Sequence, residues 1–179
     1  MYGLVNRGVK EFAIDALGES EWRVIARRAG IEGLEFRDLE QYPDAITYSL
    51  VAQASERTGK SVASLLQAFG RYWILFTARS TYGDLLDGSD DLESFLFQLN
   101  SLHESVATSM PKLIPPSFGV EPSDSGLIVL YVSEREGLEP MVTGLLEGLL
   151  ETFGLDGHVQ RLDDSSYGER RFLIRADEQ

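Results

Sequence analysis

The apolar residues of this 179-residue chain change their spacing at a pair of prolines, Pro115 and Pro116. Before the pair they recur three and four residues apart, which is typical of amphipathic helices. After it, Leu127 to Ser133 is rich in β-branched and aromatic residues, which favours a strand. Because two adjacent prolines are incompatible with helix, we expect the helical part of the chain to end there.

The C-terminal third carries further elements of both kinds. Gly137 and Pro140 introduce a helix, and two later segments, about His158 to Leu162 and Arg171 to Arg175, alternate well enough to pair as a hairpin around Tyr167-Gly168. The predicted order is helices, then strand, helix, strand and strand. This order indicates an α+β fold.

The charge and composition exclude several classes of function. With 29 acidic against 16 basic side chains, the net charge of -13 would repel nucleic acid and anionic membranes. The absence of cysteine excludes disulfides and thiolate ligands. No apolar run is long enough to span a bilayer, and no export signal is present, so we expect a soluble, cytoplasmic protein. No nucleophile elbow, phosphate-binding loop or His-rich motif indicates an enzyme.

His103 is one of only two histidines, and it lies within an apolar helical stripe. Taken alone, such a residue is more often a hydrogen-bonded core histidine than a ligand. No second histidine lies three or four residues away to complete a zinc pair. A single histidine can hold a metal if a porphyrin supplies four further ligands, which makes haem the natural candidate. The stripe consists of Leu92, Phe95, Leu96, Leu99, Leu102 and Val106.

Tyr131, Ser133 and Arg135 form a second candidate group, because a strand period of two places them on one face. Arg135 offers a planar fork suited to a carboxylate, and the two hydroxyls add neutral donors. An exposed polar strand face is the alternative interpretation. Leu127 and Val129 share this face, so its polar end is expected at the edge of the core, where a carboxylate ligand could bind.

The segment from Leu113 to Phe118 is stiff and apolar, and it follows the His103 helix directly. It can be read as an ordinary connection between a helix and a strand. A rigid proline in such a segment can also press on a flat ligand.

These features occur in the order and spacing of a known family. The resemblance rests on Met1-Tyr2-Gly3-Leu4-Val5-Asn6, Thr58-Gly59-Lys60, Ala68-Phe69-Gly70, Leu102-His103 followed by Pro115-Pro116, Tyr131-x-Ser133-x-Arg135, and Met141 to Gly148. The chain resembles the haem nitric oxide/oxygen-binding (H-NOX) family, relatives of the haem domain of animal soluble guanylate cyclase. The resemblance covers essentially the whole chain.

The resemblance implies a bound cofactor, a ferrous, histidine-ligated haem b. It implies that His103 is the proximal iron ligand and that Tyr131, Ser133 and Arg135 bind the propionates. Pro116, thirteen residues beyond His103, would bend the porphyrin, with Pro115 as the alternative for this role.

The resemblance also implies the domain organisation. One H-NOX domain would fill residues 1–179, with a helical distal subdomain over about residues 1–60 and a proximal subdomain over about 61–179. The proximal part would contain an antiparallel sheet and the helix that carries His103.

The residues that the resemblance places on the distal side of the haem, where the gas would bind, indicate which gas is bound. Family members that hold oxygen use a distal tyrosine, but at the corresponding place this chain has Pro140 and Met141, which offer no hydroxyl donor. Among the other distal positions only the indole of Trp73 could donate. We therefore expect a sensor of nitric oxide that also binds carbon monoxide and excludes oxygen. The expected distal wall consists of Val5, Val9, Trp73, Met141 and Leu145.

The resemblance implies a signalling mechanism and a partner. Nitric oxide would weaken or break the bond between iron and His103, so that the haem flattens and the His103 helix moves. Because the fold is expected to fill the chain, the signal would pass to a separate protein, by family analogy a histidine kinase or a cyclic-di-GMP enzyme. The alternative is a haem-free interaction module, which would bind another flat or acidic ligand in the apolar cavity where the haem would otherwise lie.

Overall fold

The computed structural model describes residues 1–110, 112–164 and 168–176. The chain divides into two compact units, Met1–Phe69 and Gly70–Gln179. The sequence predicted an α+β fold, and the seven α-helices and four-stranded antiparallel sheet of the described residues confirm it. Within the same ranges, no helix is long and apolar enough to cross a membrane.

The first unit is helical. Gly18, at φ 88°, separates the first two helices, because this left-handed region suits glycine. The hydroxyl of Ser61 accepts a hydrogen bond from the backbone N–H of Ser64 at 3.1 Å, so it caps the fourth helix. The helices are α1 (Gly3–Leu17), α2 (Glu19–Arg28), α3 (Asp44–Thr58) and α4 (Val62–Tyr72), the last of which continues into the second unit.

The second unit also begins with helices. Helix α4 runs into a π-helical segment, Trp73–Ala78, and then into α5 (Arg79–Asp87). Helix α6 (Leu92–Ser109) follows, and the carboxylate of Asp91 caps it by accepting from the N–H of Ser94 at 2.8 Å. Helix α7 (Glu139–Thr152) has Pro140 in its first turn, as predicted.

The sheet has the order β1-β2-β4-β3, and every neighbouring pair is antiparallel. The hairpin of β3 (Gly157–Arg161) and β4 (Arg170–Ala176) confirms the sequence prediction, although Tyr167 of its expected turn lies outside the described residues. Strand β2 is Gly126–Val132. Strand β1 (Ser117–Ser123) was not predicted, because Pro122 interrupts the strand signal; proline is tolerated here because β1 is an edge strand.

The core of the second unit lies between this sheet and its helices. Val129 and Phe172, on neighbouring strands, are fully buried, and α6 packs against β1 while α7 packs against β3 and β4. Helix α4 approaches α7 so closely that a Cβ at Gly70 would lie 2.1 Å from the carbonyl oxygen of Met141. Only glycine fits at this crossing.

Candidate functional site

His103 lies on α6 and faces strand β1. Its ring packs against the ring of Phe118, with centroids 5.8 Å apart. The side chain is partly buried, and its Nδ1 atom is fully buried without a hydrogen-bond partner among the described residues. Burial lowers the pKa of His103, which favours the neutral ring. A neutral imidazole with an unsatisfied nitrogen is the form that ligates a metal.

Asn100, one turn before His103, fastens α6 to β1. Its Nδ2 donates to the carbonyl oxygen of Phe118 at 2.7 Å, and its Oδ1 accepts from the N–H of Phe118 at 2.9 Å. The side-chain amide thus makes the two hydrogen bonds that a neighbouring strand would make with Phe118. These bonds fix the position of α6 relative to the sheet. Sequence reasoning missed Asn100, although a polar residue one turn from His103 on the same helix was the available signal.

Tyr131 joins the same aromatic cluster from the sheet side. It lies opposite Phe118 in the register of β1 and β2, and the two ring centroids are 5.4 Å apart. The ring of Phe172 meets Tyr131 edge-on at 6.5 Å. Tyr131 is only 3% exposed. The structure therefore brings His103 and Tyr131 into one cluster, in which both pack against Phe118.

The polar groups around Tyr131 sit at the end of β2, but they do not all lie on the strand. The strand ends at Val132, one residue earlier than the sequence predicted. Beyond it the hydroxyl of Ser133 accepts from the N–H of Arg135 at 3.1 Å, which bends the chain away from the ladder. Arg135 is therefore placed by a turn and not by the strand period. Its Nη1 donates to the carbonyl oxygen of Ile114 at 3.4 Å.

Burial raises the pKa of the Tyr131 hydroxyl, and a hydrogen bond with Ser133 and the positive charges of Arg170 and Arg135 oppose the shift. The phenol therefore stays neutral and can donate. With Ser133 and Arg135 beside it, the end of β2 presents two hydroxyls and one guanidinium. This donor set suits a carboxylate.

Pro115 and Pro116 lie between α6 and β1, in a segment without regular structure, and both are partly buried. The carbonyl of Ile114, directly before them, is the acceptor for Arg135. The proline segment therefore connects the His103 helix to the polar group at the end of β2.

The five residues of the expected distal wall occur in both units. Val5 and Val9 lie on α1 of the first unit, and Val9 is buried. In the second unit, Trp73 begins the π-helical segment and, like Leu145, packs against the buried core. The close crossing of α4 and α7 at Gly70 brings the backbone before Trp73 beside Met141 and Leu145, which are both partly buried.

Thr77 is a further buried polar residue that sequence reasoning missed. It lies in the π-helical segment, is 1% exposed, and its hydroxyl has no hydrogen-bond partner in the described part of the chain. Such segments often occur at functional sites. Across residues 1–110, 112–164 and 168–176, no group of three or more His, Asp or Glu side chains could hold a metal ion.

A sequence model of the haem-NO-binding family matches residues 2–161. The chain belongs to this family. Among the relatives of this haem-NO-binding chain are two soluble guanylate cyclases of Caenorhabditis elegans. It is 29% identical to gcy-33 over 177 residues, which is 97% of this chain and 19% of that protein. It is 30% identical to gcy-35 over 151 residues, which is 82% of this chain and 22% of that protein. The chain thus spans about a fifth of the length of these relatives.

Solved structures show the same fold. An H-NOX protein from S. oneidensis in the Fe(II) ligation state, a mutant, has a TM-score of 0.89 at 17% identity, covering 99% of this chain and 97% of that chain. An Fe(II)NO structure of an H-NOX protein from S. oneidensis has a TM-score of 0.86 at 18% identity, covering 99% of this chain and 100% of that chain. The haem-NO-binding chain therefore has the H-NOX fold, as the sequence resemblance implied.

The residues present fit a haem. His103 offers a buried, unsatisfied ring nitrogen, and the end of β2 offers neutral and cationic donors for carboxylates. The aromatic cluster of His103, Phe118 and Tyr131 supplies apolar surface in between. These observations agree with membership of a haem-binding sensor family.

Proposed function

We propose that this chain is a haem-based gas sensor that binds nitric oxide and carbon monoxide at a ferrous haem b and excludes oxygen. The observation that carries the proposal is the buried Nδ1 of His103, which no described residue satisfies. Leaving a buried polar atom unpaired costs about 1–3 kcal/mol, so a folded protein that retains one has a use for that side chain.

Each predicted site residue has a role in this proposal. His103 would ligate the iron, and the two hydrogen bonds of Asn100 hold its helix against β1. Tyr131, Ser133 and Arg135 would bind the propionates, and Pro116, or Pro115, would contact the porphyrin. When bound, a ferrous haem would supply the iron to which a diatomic gas binds.

The preference for nitric oxide over oxygen rests on the distal residues. Pro140 and Met141 offer no hydroxyl, and Val5, Val9 and Leu145 are apolar. Bound oxygen gains most from a hydrogen-bond donor, whereas nitric oxide and carbon monoxide depend on it little. In the π-helical segment, the Trp73 indole and the Thr77 hydroxyl are the two side-chain groups that could donate a hydrogen bond to bound oxygen. Replacing them tests whether either group supports oxygen binding.

For signalling, we propose that His103, which would hold the haem iron, couples gas binding to the position of α6. The chain itself would have no catalytic activity, and a separate protein would receive the signal. A histidine kinase or a cyclic-di-GMP enzyme is the proposed partner, and the net charge of -13 would suit a basic docking patch. We also propose that residues 1–179 act as one domain, with a distal subdomain over about residues 1–60 and a proximal subdomain over about 61–179.

The test is the absorption spectrum of the purified ferrous protein, recorded anaerobically, in air, with carbon monoxide and with nitric oxide. We expect a Soret band that shifts when carbon monoxide or nitric oxide is added. In air, the band of the ferrous protein should stay at its anaerobic position until the iron oxidises. A reversible shift in air would contradict the exclusion of oxygen. Failure to take up haem at all would instead support the haem-free interaction module.

A further inference from the structure

Arg170 is a charged residue on the inward face of the sheet, beside Tyr131. It is the first residue of β4 and lies directly opposite Tyr131 in the register of β2 and β4. Residues opposite each other in an antiparallel pair place their side chains on the same face, about 5 Å apart. The positive charge of Arg170 also lowers the pKa of Tyr131 against the larger effect of burial.

The guanidinium of Arg170 holds two other elements at once. Its Nε donates to Oε1 of Glu139 at 3.0 Å, in the first turn of α7. Its Nη1 donates to the carbonyl oxygen of Ser133 at 3.2 Å, just beyond the end of β2. One planar fork therefore ties together the start of β4, the end of β2 and the start of α7.

This ion pair is better protected from water than the others. The side chains of Arg170 and Glu139 are 17% and 19% exposed, and no other pair between described residues has both partners so buried. Exposed pairs contribute little and move freely, whereas a shielded pair with further hydrogen bonds keeps one geometry. The contact is therefore suited to fixing positions.

We propose that Arg170 is a positioning residue for the carboxylate anchor formed by Tyr131, Ser133 and Arg135. It holds the backbone of Ser133 in the place from which the two hydroxyls and the Arg135 guanidinium can reach a carboxylate. This inference rests on the proposed function, since the carboxylates are those of a haem.

The test compares Arg170→Gln with Arg171→Gln, a matched control that removes the same charge one residue along. Arg171 lies opposite Leu130, on the other face of the sheet. The measurement is the rate constant for haem loss to an excess of a haem-scavenging protein. We expect haem loss from Arg170→Gln to be about tenfold faster than from wild type, the scale of one charge-assisted hydrogen bond. Arg171→Gln is expected to stay within about twofold.

Haem dimethyl ester separates positioning of the anchor from general loosening of the fold, because its carboxylates are blocked. With this cofactor, Arg170→Gln and wild type should lose haem at the same rate. Equal acceleration for haem and for its ester would overturn the inference and leave only a structural role. Arg170→Lys keeps the charge without the fork, so it should resemble Arg170→Gln; wild-type behaviour of the lysine variant would also overturn it.

The fork can also be tested without haem. In the haem-free protein, Glu139→Gln and Arg170→Gln should each lower the free energy of unfolding, and the double variant should lose less than the sum of the two. If the losses in the free energy of unfolding are additive, Arg170 and Glu139 do not interact as the structure indicates. If wild type takes up no haem, both the proposed function and this inference fail. If wild type takes up haem but Arg170→Gln releases it as slowly as Arg171→Gln does, only the inference fails.

Discussion

Asn100 and Phe118 are joined by two hydrogen bonds between the side-chain amide of Asn100 and the backbone of Phe118, at 2.7 and 2.9 Å. The ring of Phe118 in turn packs against His103. Phe118 therefore fixes the position of α6 relative to the sheet and also forms part of the surroundings of His103. Any movement of α6 relative to the sheet has to break or carry this contact.

Replacing Asn100 by leucine should loosen α6 from the sheet. The N–H and the carbonyl of Phe118 would lose their partner while partly buried, which costs about 1–3 kcal/mol for each group that stays unsatisfied. We expect the free energy of unfolding of the haem-free protein to fall by about 2 kcal/mol or more in chemical denaturation. The exposed neighbour provides the control: Ser101→Ala should change it by less than about 0.5 kcal/mol. Equal effects of the two changes would argue against the anchoring role.

The two histidines should differ in their effect on stability at acid pH. Burial lowers the pKa of His103 below its ordinary value of 6.5, so the folded haem-free protein binds this proton less readily than the unfolded chain. Above pH 6.5 the ring is neutral in both states and has no effect. As the pH falls below 6.5, the unfolded chain is protonated first and the free energy of unfolding decreases.

Urea denaturation of the haem-free protein between pH 7.5 and 5 measures this dependence. The variant His103→Gln should show a weaker loss of stability on acidification than wild type. His158 is exposed on β3, so His158→Gln should keep the wild-type profile. An unchanged profile for His103→Gln would show that the ring is not protected from protonation.

The crossing of α4 and α7 should tolerate no side chain at Gly70. A Cβ there would lie 2.1 Å from the carbonyl oxygen of Met141 and 2.9 Å from the N atom of Leu145, both of which are backbone atoms. We expect Gly70→Ala to lower the free energy of unfolding by about 1–3 kcal/mol, the usual cost of overpacking. Gly83→Ala is the matched control, because a Cβ at Gly83 of α5 meets nothing within 4 Å. It should be neutral or stabilising by up to about 1 kcal/mol.

The unsatisfied hydroxyl of Thr77 should make the haem-free protein less stable than it could be. Thr77→Val keeps the shape and removes the polar atom, so the free energy of unfolding should rise by about 1 kcal/mol or more. The exposed Thr81 provides the control, since Thr81→Val should gain nothing of this size. A loss of stability in Thr77→Val would show that the hydroxyl already has a partner.

The features that could be predicted from the sequence are those that local residue patterns determine. The stripe around His103, the proline at the start of α7 and the hairpin of β3 and β4 follow from local periodicity and turn chemistry, and these predictions are confirmed for the described residues. Strand β1 was missed because Pro122 conceals a strand that the neighbouring β2 stabilises. The position of Arg135 depends on a turn, which a strand period cannot describe.

The contacts of Arg170 and Asn100 were beyond reach for a different reason. Arg170 meets Ser133 and Glu139, which lie 37 and 31 residues away in the sequence. Asn100 meets a strand 18 residues further on that had not been recognised. Such contacts are set by the sheet register and by helix packing, which composition and spacing do not determine.

The most direct test of His103 as the iron ligand is the absorption spectrum of His103→Gly in the ferrous, gas-free state, recorded beside that of wild type after identical reconstitution with haem. We expect the wild-type protein to take up haem and to show the Soret band of a histidine-ligated ferrous haem. The variant should either lose haem or regain that spectrum only when free imidazole is added. A His103→Gly variant that shows the wild-type spectrum without imidazole would contradict His103 as the iron ligand.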